Sequence, residues 1–428
     1  MRVAYVYQYF KTPQEAGSTR AFHICEELVL RGHEVVVITG RKRGQRRWIQ
    51  KSAVEGMTIW SVRNQYSNEM GRLGRAWSFL KFMVASTAIL LALRDLDVVF
   101  ATSTPLSVAV PALCRKLLKR TPFVFEVRDL WPEALIQLGA VRRGVTVGIL
   151  RALEKAAYTH AEHVIALSPG MRDGVIAKGI PPQKVSMIPN MAKCEIFGVH
   201  AIPRRSVALG KKERSPFRVV YFGALGISND LDYLLDVAAL TEGPSQGDIE
   251  YWIIGDGAEG ERLSERAVDE RIASVKFFGR RPLLETAKLV SQCHLSVVLF
   301  RNIPILRTNS PNKLFDSLSA GLPVVVNSDG WTRTLVEEAG CGLFSDPESP
   351  TDLATIIMDL HRREVERRRM GEAARRLAEG SYDVGVLCPQ VVKVVEEVVA
   401  PQEKPVQSPV QHESGRRHCP PADSPNIH

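Results

Sequence analysis

The sequence predicts an α/β protein made of two Rossmann-like, doubly wound parallel-sheet domains. At 428 residues the chain is too long for one ordinary hydrophobic core. Short runs of β-branched residues alternate with helical patterns in both halves, which is typical of parallel sheets with crossover helices. A stretch rich in proline and cations separates the two halves. With 45% apolar and 24% charged residues, the composition is that of a globular protein.

The N-terminal domain is expected over residues 1–195. Its first strand is predicted at Val3–Tyr7, and a helix over 18–31 leads to a second strand at Glu34–Thr39. This strand, helix, strand order begins a parallel sheet. Further strands are predicted at Val98–Ala101, Phe123–Glu126 and Val164–Ala166.

The second domain is expected over residues 217–380, after a linker at 196–216. A helical segment at 381–400 is expected to pack back on the N-terminal domain. The tail at 401–428 is rich in proline and poor in large apolar groups, so we expect disorder there. The strands predicted in this domain are Arg218–Phe222, Tyr251–Ile254, Val275–Phe278, Leu295–Leu299 and Pro323–Val326.

Localisation is expected to be cytoplasmic, with access to the inner face of the membrane. The seven cysteines show no C-x-x-C spacing, and the opening MRVAYVYQYF lacks the apolar core of a signal peptide. The apolar run Phe82–Leu93 is shorter than the roughly 20 residues of a spanning helix. We expect peripheral membrane contact through residues 41–51 and 72–93, although a solvated loop explains the basic run 41–51 equally well. No nucleic-acid-binding module accompanies that run.

The most informative segment runs from Thr308 to Val326. A helix is predicted to open at Ser310–Asn312 and to end at Gly321. The unpaired N–H groups and the positive dipole end of a helix start form a site for a diphosphate, to which Lys313 adds a charge. Asp316, one turn later, can accept hydrogen bonds from ribose hydroxyls. The pattern alone leaves open a capped helix that packs beneath a strand.

This segment resembles the signature of the retaining family-four glycosyltransferases, whose helix is followed by a small residue and then Gly, x, Pro, Val, here Ala320–Val324. The resemblance recurs in the glycine loop Gly17–Arg20, in Ile188–Asn190 and in the IIGDG run Ile253–Gly257. It implies the glycosyltransferase-B architecture, in which the two domains face a cleft. The donor-binding residues that the helix pattern and this resemblance indicate are Gly17, Gly223, Arg307, Thr308, Ser310, Pro311, Asn312, Lys313, Leu314 and Asp316.

The run Phe125–Gly139 is similar to a bacterial subgroup that transfers amino or deoxy sugars in surface polysaccharide assembly, the N-acetyl-fucosamine and colanic-acid-type transferases. Two departures from the family stand out. Thr308 occupies the position of the first family acid, and no cation lies in 224–230, where the family has pyrophosphate-binding Arg and Lys. Lys313, Arg307 or Arg301 are the cations that could replace them.

The resemblance implies transfer of a sugar, with retention, from a nucleoside diphosphate, UDP being the expected carrier, to a saccharide or polyprenyl-diphosphate-linked acceptor. Asp129 is the expected base or hydroxyl-orienting group, with Arg128 beside it and Glu133 as the next candidate, although both acids could instead cap turns. No metal or other cofactor is expected, because no D-x-D motif occurs in a suitable loop. A UDP-sugar 2-epimerase and a non-catalytic nucleotide-sugar-binding protein of the same fold remain open. A nicotinamide dehydrogenase is disfavoured because G-x-G-x-x-G is missing after the first strand.

Overall fold

The structure is a computed structural model that describes residues 1–15, 17–41, 47–64, 71–141, 144–198, 216–245 and 247–400. Most of the expected linker, the expected disordered tail at 401–428 and residues 42–46 of the basic run lie outside the described residues. Two sheets organise the chain, one of eight strands and one of six. The predicted class, with two parallel-sheet α/β domains, is confirmed.

The N-terminal sheet has the order β3-β4-β2-β1-β5-β6-β7-β8, and every pairing is parallel except that of β3 with β4. The chain reverses its direction of sheet growth between β1 and β5, which places a ligand crevice beyond the carboxyl ends of these two strands. The strands are β1 (Arg2–Val6), β2 (Glu34–Arg41), β3 (Ile49–Val54), β4 (Met57–Arg63), β5 (Val98–Thr102), β6 (Phe123–Val127), β7 (His163–Ala166) and β8 (Val185–Met187).

Helices cover both faces of this sheet. On one face, side chains of α2, α3 and α5 share a core with β1, β5 and β6, and on the other face α1 packs against β1 and β2. Burial on both faces explains why β1, β5 and β6 are continuous apolar runs. The helices are α1 (Arg20–Leu30), α2 (Arg72–Ala92), α3 (Ala109–Lys119), α4 (Glu133–Gln137), α5 (Val145–His160), α6 (Pro169–Ile176) and α7 (Cys194–Gly198).

The helix α2 is longer than the apolar run Phe82–Leu93 suggested. It begins ten residues earlier, at Arg72, and its segment Leu73–Ala92 is long and apolar enough, by length and composition, to cross a membrane. The expectation that this stretch is too short to span is therefore wrong on length. Phe82 and Leu90 are fully buried in the core, so one face of α2 belongs to the helical layer of the domain.

The C-terminal sheet has the order β11-β10-β9-β12-β13-β14 and is parallel throughout. Its direction of growth reverses between β9 and β12, which defines a second ligand crevice at their carboxyl ends. The elements are β9 (Phe217–Ala224), α8 (Leu231–Ser245), β10 (Ile249–Asp256), α9 (Gly260–Asp269), β11 (Val275–Gly279), α10 (Leu283–Val290), β12 (Leu295–Val298), α11 (Asn312–Ser319), β13 (Val324–Val326), α12 (Trp331–Glu338), β14 (Gly342–Phe344), α13 (Pro350–Arg362) and α14 (Glu364–Leu377).

The final helix, α15 (Val384–Val399), returns to the N-terminal domain. Its apolar face, which includes Leu387 and Val391, is buried against α1, β5 and β6. The chain thus crosses between the domains twice, and the two crossings are joined where Ala192 pairs with Asp383. The two crossings hold the sheets so that the carboxyl ends of their strands face each other across a cleft.

Candidate active site

A cavity of about 480 Å³ lies between the two sheets, at the crevice of each. Most of its wall comes from the C-terminal domain, and the facing wall comes from the loop after β1 and from the first crossing between domains. The lining residues are Gly17, Ser18, Lys193, Phe222, Gly223, Ala224, Ile254, Gly255, Asp256, Gly257, Arg280, Arg281, Leu283, Thr286, Pro311, Asn312, Lys313 and Asp316. The structure therefore gathers six of the ten predicted donor-binding residues in one cavity.

The start of α11 forms one wall of this cavity. Pro311 precedes the first helical residue in an extended conformation, and the N–H of Leu314 donates to its carbonyl at 3.1 Å. The predicted anion site therefore uses the N–H groups of Asn312 and Lys313 but not that of Leu314, which is a correction. The side chain of Leu314 is fully buried in the core. A helix start that opens into a cavity provides partial positive charge for an anionic ligand.

The side chain of Lys313 extends along the cavity wall toward the end of β9. It donates to the hydroxyl of Tyr221 at 2.6 Å and to Oδ1 of Asn229 at 2.8 Å. The rings of Tyr221 and Phe300 lie 4.1 Å and 5.3 Å from the nitrogen. Burial of the ammonium lowers the pKa of Lys313 to about 7. A nearby anion would favour the charged form of this side chain.

Two glycines let the backbones of β9 and β10 approach closely beside Lys313. A β-carbon at Gly255 would lie 1.8 Å from the carbonyl oxygen of Gly223. A β-carbon at Gly223 would lie 3.1 Å from Cε of Lys313, and Gly223 has a φ of +140°. Glycine at both positions keeps the floor of the cavity free of side chains, which leaves room for a bulky anion.

Asp316 lies inside the cavity but is engaged by a residue that the sequence analysis did not select. Nζ of Lys193 lies 2.5 Å from Oδ1 of Asp316, and the two side chains are 5% and 9% exposed. Burial raises the pKa of the Asp316 carboxyl, and the ammonium of Lys193 opposes that rise. Lys193 follows Ile188–Asn190 on the first crossing, so its position in the cavity depends on tertiary structure rather than on a local motif.

Two further cations of the cavity were also missed. Arg280 and Arg281 directly follow β11 and line the same cavity as the start of α11. The signal available in the sequence was their position at the carboxyl end of a predicted strand. They supply positive charge that the segment 224–230 lacks. Arg301 instead lines a separate small cavity beside Asp230, and Arg307 is exposed and donates to Asn302.

The N-terminal wall contains the predicted glycine loop. Gly17 and Ser18 line the cavity, and Gly17 has a φ of +135°. Nη2 of Arg128 donates to the hydroxyl of Ser18 at 3.1 Å, and Nη1 donates to the hydroxyl of Tyr7 at 3.0 Å. Arg128 therefore reaches the cavity rim through Ser18.

A buried ion pair anchors the end of this loop to the sheet. Nε of Arg20 lies 2.9 Å from Oε1 of Glu126, and both side chains are nearly inaccessible to solvent. The same guanidinium donates to the carbonyls of Ile188 and Pro189. It thereby joins the start of α1, the end of β6 and the chain that leads to Lys193.

Of the three predicted catalytic residues, Arg128 and Asp129 are neighbours, whereas Glu133 is paired elsewhere. Asp129 is half-buried just after β6, and burial raises its pKa to about 6 while the guanidinium of Arg128 opposes the rise. Glu133 begins α4 and lies 3.4 Å from the guanidinium of Arg151, on the side of α5. Neither acid lines the donor cavity. Asp129 is connected to the cavity through its neighbour Arg128, which donates a hydrogen bond to Ser18.

Thr308 and Ser310 form contacts between the domains rather than the cavity wall. The hydroxyl of Ser168 donates to the carbonyl of Thr308 at 2.5 Å. The backbone N–H of Asn190 donates to the hydroxyl of Ser310 at 3.2 Å, and its amide donates to the Ser310 carbonyl. The position of the missing family acid is thus adjacent to an interdomain hydrogen bond.

Two facing parallel-sheet domains with a cavity between them are the architecture of the GT-B glycosyltransferases. Residues 16–191 match the family model described as a glycosyl transferase 4-like domain, and residues 206–377 match the model described as glycosyl transferases group 1. The chain belongs to the family-four glycosyltransferases.

Individual relatives are distant. A chain of Pseudomonas aeruginosa named as a glycosyltransferase, WbjE, is 24% identical over 61% of this chain and 64% of its own length. An Escherichia coli chain named as a colanic acid biosynthesis glycosyl transferase, WcaI, is 23% identical over 78% of this chain and 85% of its own.

Solved structures share the fold at low identity. Sucrose-phosphate synthase from Thermosynechococcus elongatus has a TM-score of 0.72 at 15% identity, covering 93% of this chain and 99% of its own. HepE of Anabaena in complex with UDP-glucose has a TM-score of 0.65 at 18% identity, covering 93% of this chain and all of its own.

Proposed function

We propose that this chain transfers a sugar from a nucleoside diphosphate, UDP being the expected carrier, to a saccharide acceptor in surface polysaccharide biosynthesis. The observation that carries the proposal is the cavity itself. A helix start, the ammonium of Lys313 and the guanidinium groups of Arg280 and Arg281 lie around one space, with a carboxylate at Asp316. Positive groups for a diphosphate and an acceptor for ribose hydroxyls are the two features that bind a nucleotide sugar. The UDP-glucose complex of HepE supports the choice of ligand class.

The same groups provide the mechanism. As the bond between the sugar and the diphosphate breaks, negative charge builds up on the leaving diphosphate. The N–H groups of Asn312 and Lys313 and the nearby cations are already oriented toward that charge, so they stabilise the transition state without reorganisation. The proposed reaction proceeds with retention and needs no metal ion, so it is expected to continue in the presence of EDTA.

Asp129 is the proposed base or hydroxyl-orienting group for the acceptor. With a pKa raised to about 6, its carboxylate is mostly ionised at neutral pH yet is a better proton acceptor than an ordinary aspartate. It follows β6 at the carboxyl edge of the N-terminal sheet, where the acceptor half of the cleft lies. The ring of Trp131, two residues after Asp129, contacts the ring of Phe79 of α2 edge to face, with 6.4 Å between the ring centroids.

The proposed acceptor is a lipid-linked saccharide, and the sugar is an N-acetylamino or deoxy hexose. The outer face of α2 supports a lipid-linked acceptor. Leu73, Trp77, Leu80 and Val84 recur at helical spacing and are 88%, 59%, 42% and 55% exposed. Together they form an apolar stripe opposite the buried face of the helix. The name of the relative WcaI supports a place in polysaccharide assembly.

Turnover is tested in two steps. A thermal-shift screen of nucleoside diphosphates identifies the base, and labelled donors with that base are then assayed for hydrolysis and for transfer to polyprenyl-diphosphate saccharides. The proposal expects transfer that depends on the acceptor. A donor that isomerises without an acceptor would instead identify an epimerase, and nucleotide binding without release of the label would identify a non-catalytic protein.

Membrane contact is tested separately by flotation with vesicles that contain anionic phospholipid. Trp77→Glu is expected to reduce the bound fraction severalfold, because a charge is placed in the apolar stripe. Leu30→Glu is the matched control, since Leu30 is 77% exposed on α1, on the opposite face of the sheet. Equal flotation of the unmodified chain and Trp77→Glu would exclude α2 as the contact.

A further inference from the structure

We propose that Lys193 is a positioning residue that holds the carboxylate of Asp316 ionised and oriented to accept hydrogen bonds from the vicinal hydroxyls of the donor ribose. This role deepens the proposed function and rests on it. The observation behind it is the nearly inaccessible ion pair in the cavity wall, with Nζ of Lys193 2.5 Å from Oδ1 of Asp316. The two residues come from different domains of the sequence, 123 positions apart.

The backbone of Lys193 is fixed on α11, so the pair has a defined geometry. Its N–H donates to the hydroxyl of Ser319 at 3.0 Å, and the preceding Asn190 is bonded to Ser310 at the other end of the helix. The side chain of Lys193 is therefore held at its backbone end by Ser319 and at its ammonium end by Asp316. A long side chain held at both ends loses little further entropy when a ligand arrives.

Protonation of Asp316 is what this pair controls. A carboxyl buried to this degree favours the neutral form unless a cation is close. The ionised carboxylate can accept a hydrogen bond from each hydroxyl of a cis-diol, whereas the protonated form gives up part of its acceptor capacity to its own proton. Because the ammonium of Lys193 donates to Oδ1 of Asp316, we expect Oδ2 to accept the hydrogen bonds from the ribose hydroxyls.

Other charged groups surround the pair on every side. His23 of α1 faces Lys193, and its pKa is lowered by burial and by that ammonium. On α11 itself Lys313 carries a pKa lowered to about 7 by burial. Arg375 of α14 donates to the carbonyl of Ser319, and Asp383 accepts from the N–H of Cys194 at 3.1 Å on the second crossing. An experiment on Asp316 must therefore cancel titration of these neighbours.

The test compares UDP with 2′,3′-dideoxyuridine diphosphate, which lacks both ribose hydroxyls. The measured quantity is the ribose selectivity, defined as the Kd of the dideoxy nucleotide divided by the Kd of UDP, as a function of pH. Titration of phosphate or of Lys313 affects both nucleotides equally and cancels in this ratio. For the unmodified chain we expect a selectivity of about tenfold or more, from two hydrogen bonds to a charged group.

Lys193→Met is expected to bring the selectivity close to one in mildly acid solution. Loss of the ammonium raises the pKa of Asp316 further, so the selectivity should return as the pH rises and the carboxyl ionises. Lys193→Arg should keep the selectivity of the unmodified chain. Lys116→Met is the matched control, because Lys116 forms a 2.6 Å pair with Glu162 on the surface, outside the cavity.

Three results would overturn the role of Lys193. They are an unchanged selectivity in Lys193→Met, an equal weakening of both nucleotides that marks a direct contact with the diphosphate, and a selectivity that stays low at every pH. If Lys193→Met does not fold, Lys193→Gln, which keeps a hydrogen-bond donor but carries no charge, replaces it. That variant is expected to lose selectivity in mildly acid solution and to regain it as the pH rises, and selectivity retained in acid solution would overturn the role. Failure of the unmodified chain to bind either nucleotide would overturn the proposed function itself.

Discussion

Lys313 gives the most quantitative prediction about donor binding. Its ammonium has a pKa lowered to about 7, from an ordinary value of 10.5, because it is buried between the rings of Tyr221 and Phe300. A diphosphate binds the charged form, so binding must protonate the fraction of molecules in which Lys313 is neutral. At neutral pH that fraction is about one half, and binding should take up about half a proton per nucleotide.

The magnitude follows from linkage. Below the pKa of free Lys313 the affinity is constant, and above it the affinity falls as the charged fraction falls. Between about pH 6 and about pH 8 the Kd should therefore rise about tenfold, which is about 1.4 kcal/mol. Lys313→Met should remove this dependence and weaken binding at the acid end by about 2 kcal/mol, the scale of a charge-assisted hydrogen bond. The two proteins should converge as the pH rises.

Isothermal titration calorimetry with UDP-glucose measures both quantities. Both phosphates of this probe are esterified, so they do not titrate in this range. Titration in two buffers with different ionisation enthalpies gives the number of protons taken up. A pH-independent affinity of the unmodified chain, with no proton uptake, would refute the reasoning, because it would mean that the ammonium is already charged or does not contact the diphosphate.

Three other changes test the site and its support. Gly255→Ala should abolish nucleotide-induced thermal shifts, because its β-carbon would lie 1.8 Å from the Gly223 carbonyl; Gly243→Ala, with no atom within 4 Å, is the control, and a normal shift in Gly255→Ala would contradict the account. Transfer activity should fall as the pH drops through about 6, where Asp129 becomes protonated, and Asp129→Asn should lose both the activity and this inflection; an active Asp129→Asn would exclude the proposed base. Arg20→Met should lower the free energy of unfolding by about 3 to 5 kcal/mol in urea titrations, because it leaves a buried carboxylate unpaired; a loss below about 1 kcal/mol would show that the pair adds little.

Sequence patterns correctly predicted the strands that are buried along almost their whole length. β1, β5 and β6 are apolar throughout because helices cover both faces of their sheet, and each was predicted to within a residue or two at its ends. The antiparallel pair β3 and β4 was missed. β3, Ile49–Val54, is an edge strand that carries Gln, Lys and Ala on exposed positions, so neither alternation nor an apolar run marks it.

The site was predictable where it depends on one local motif. The helix start at Pro311–Lys313 and the glycine loop at Gly17 were found because the chemistry and the backbone signal occupy adjacent positions. Lys193 and Arg281 were not predicted, because no local sequence motif marks either residue and only the tertiary fold places them in the cavity wall. Their roles depend on how the two domains face each other, which no local pattern encodes.

The crystal structure of the chain with UDP tests the central claim most directly. We expect the diphosphate in the interdomain cavity, with phosphate oxygens within hydrogen-bonding distance of the N–H groups of Asn312 and Lys313 and of the Lys313 ammonium, and with the ribose hydroxyls at Asp316. A nucleotide bound elsewhere, with the start of α11 still facing an empty cavity, would contradict the account.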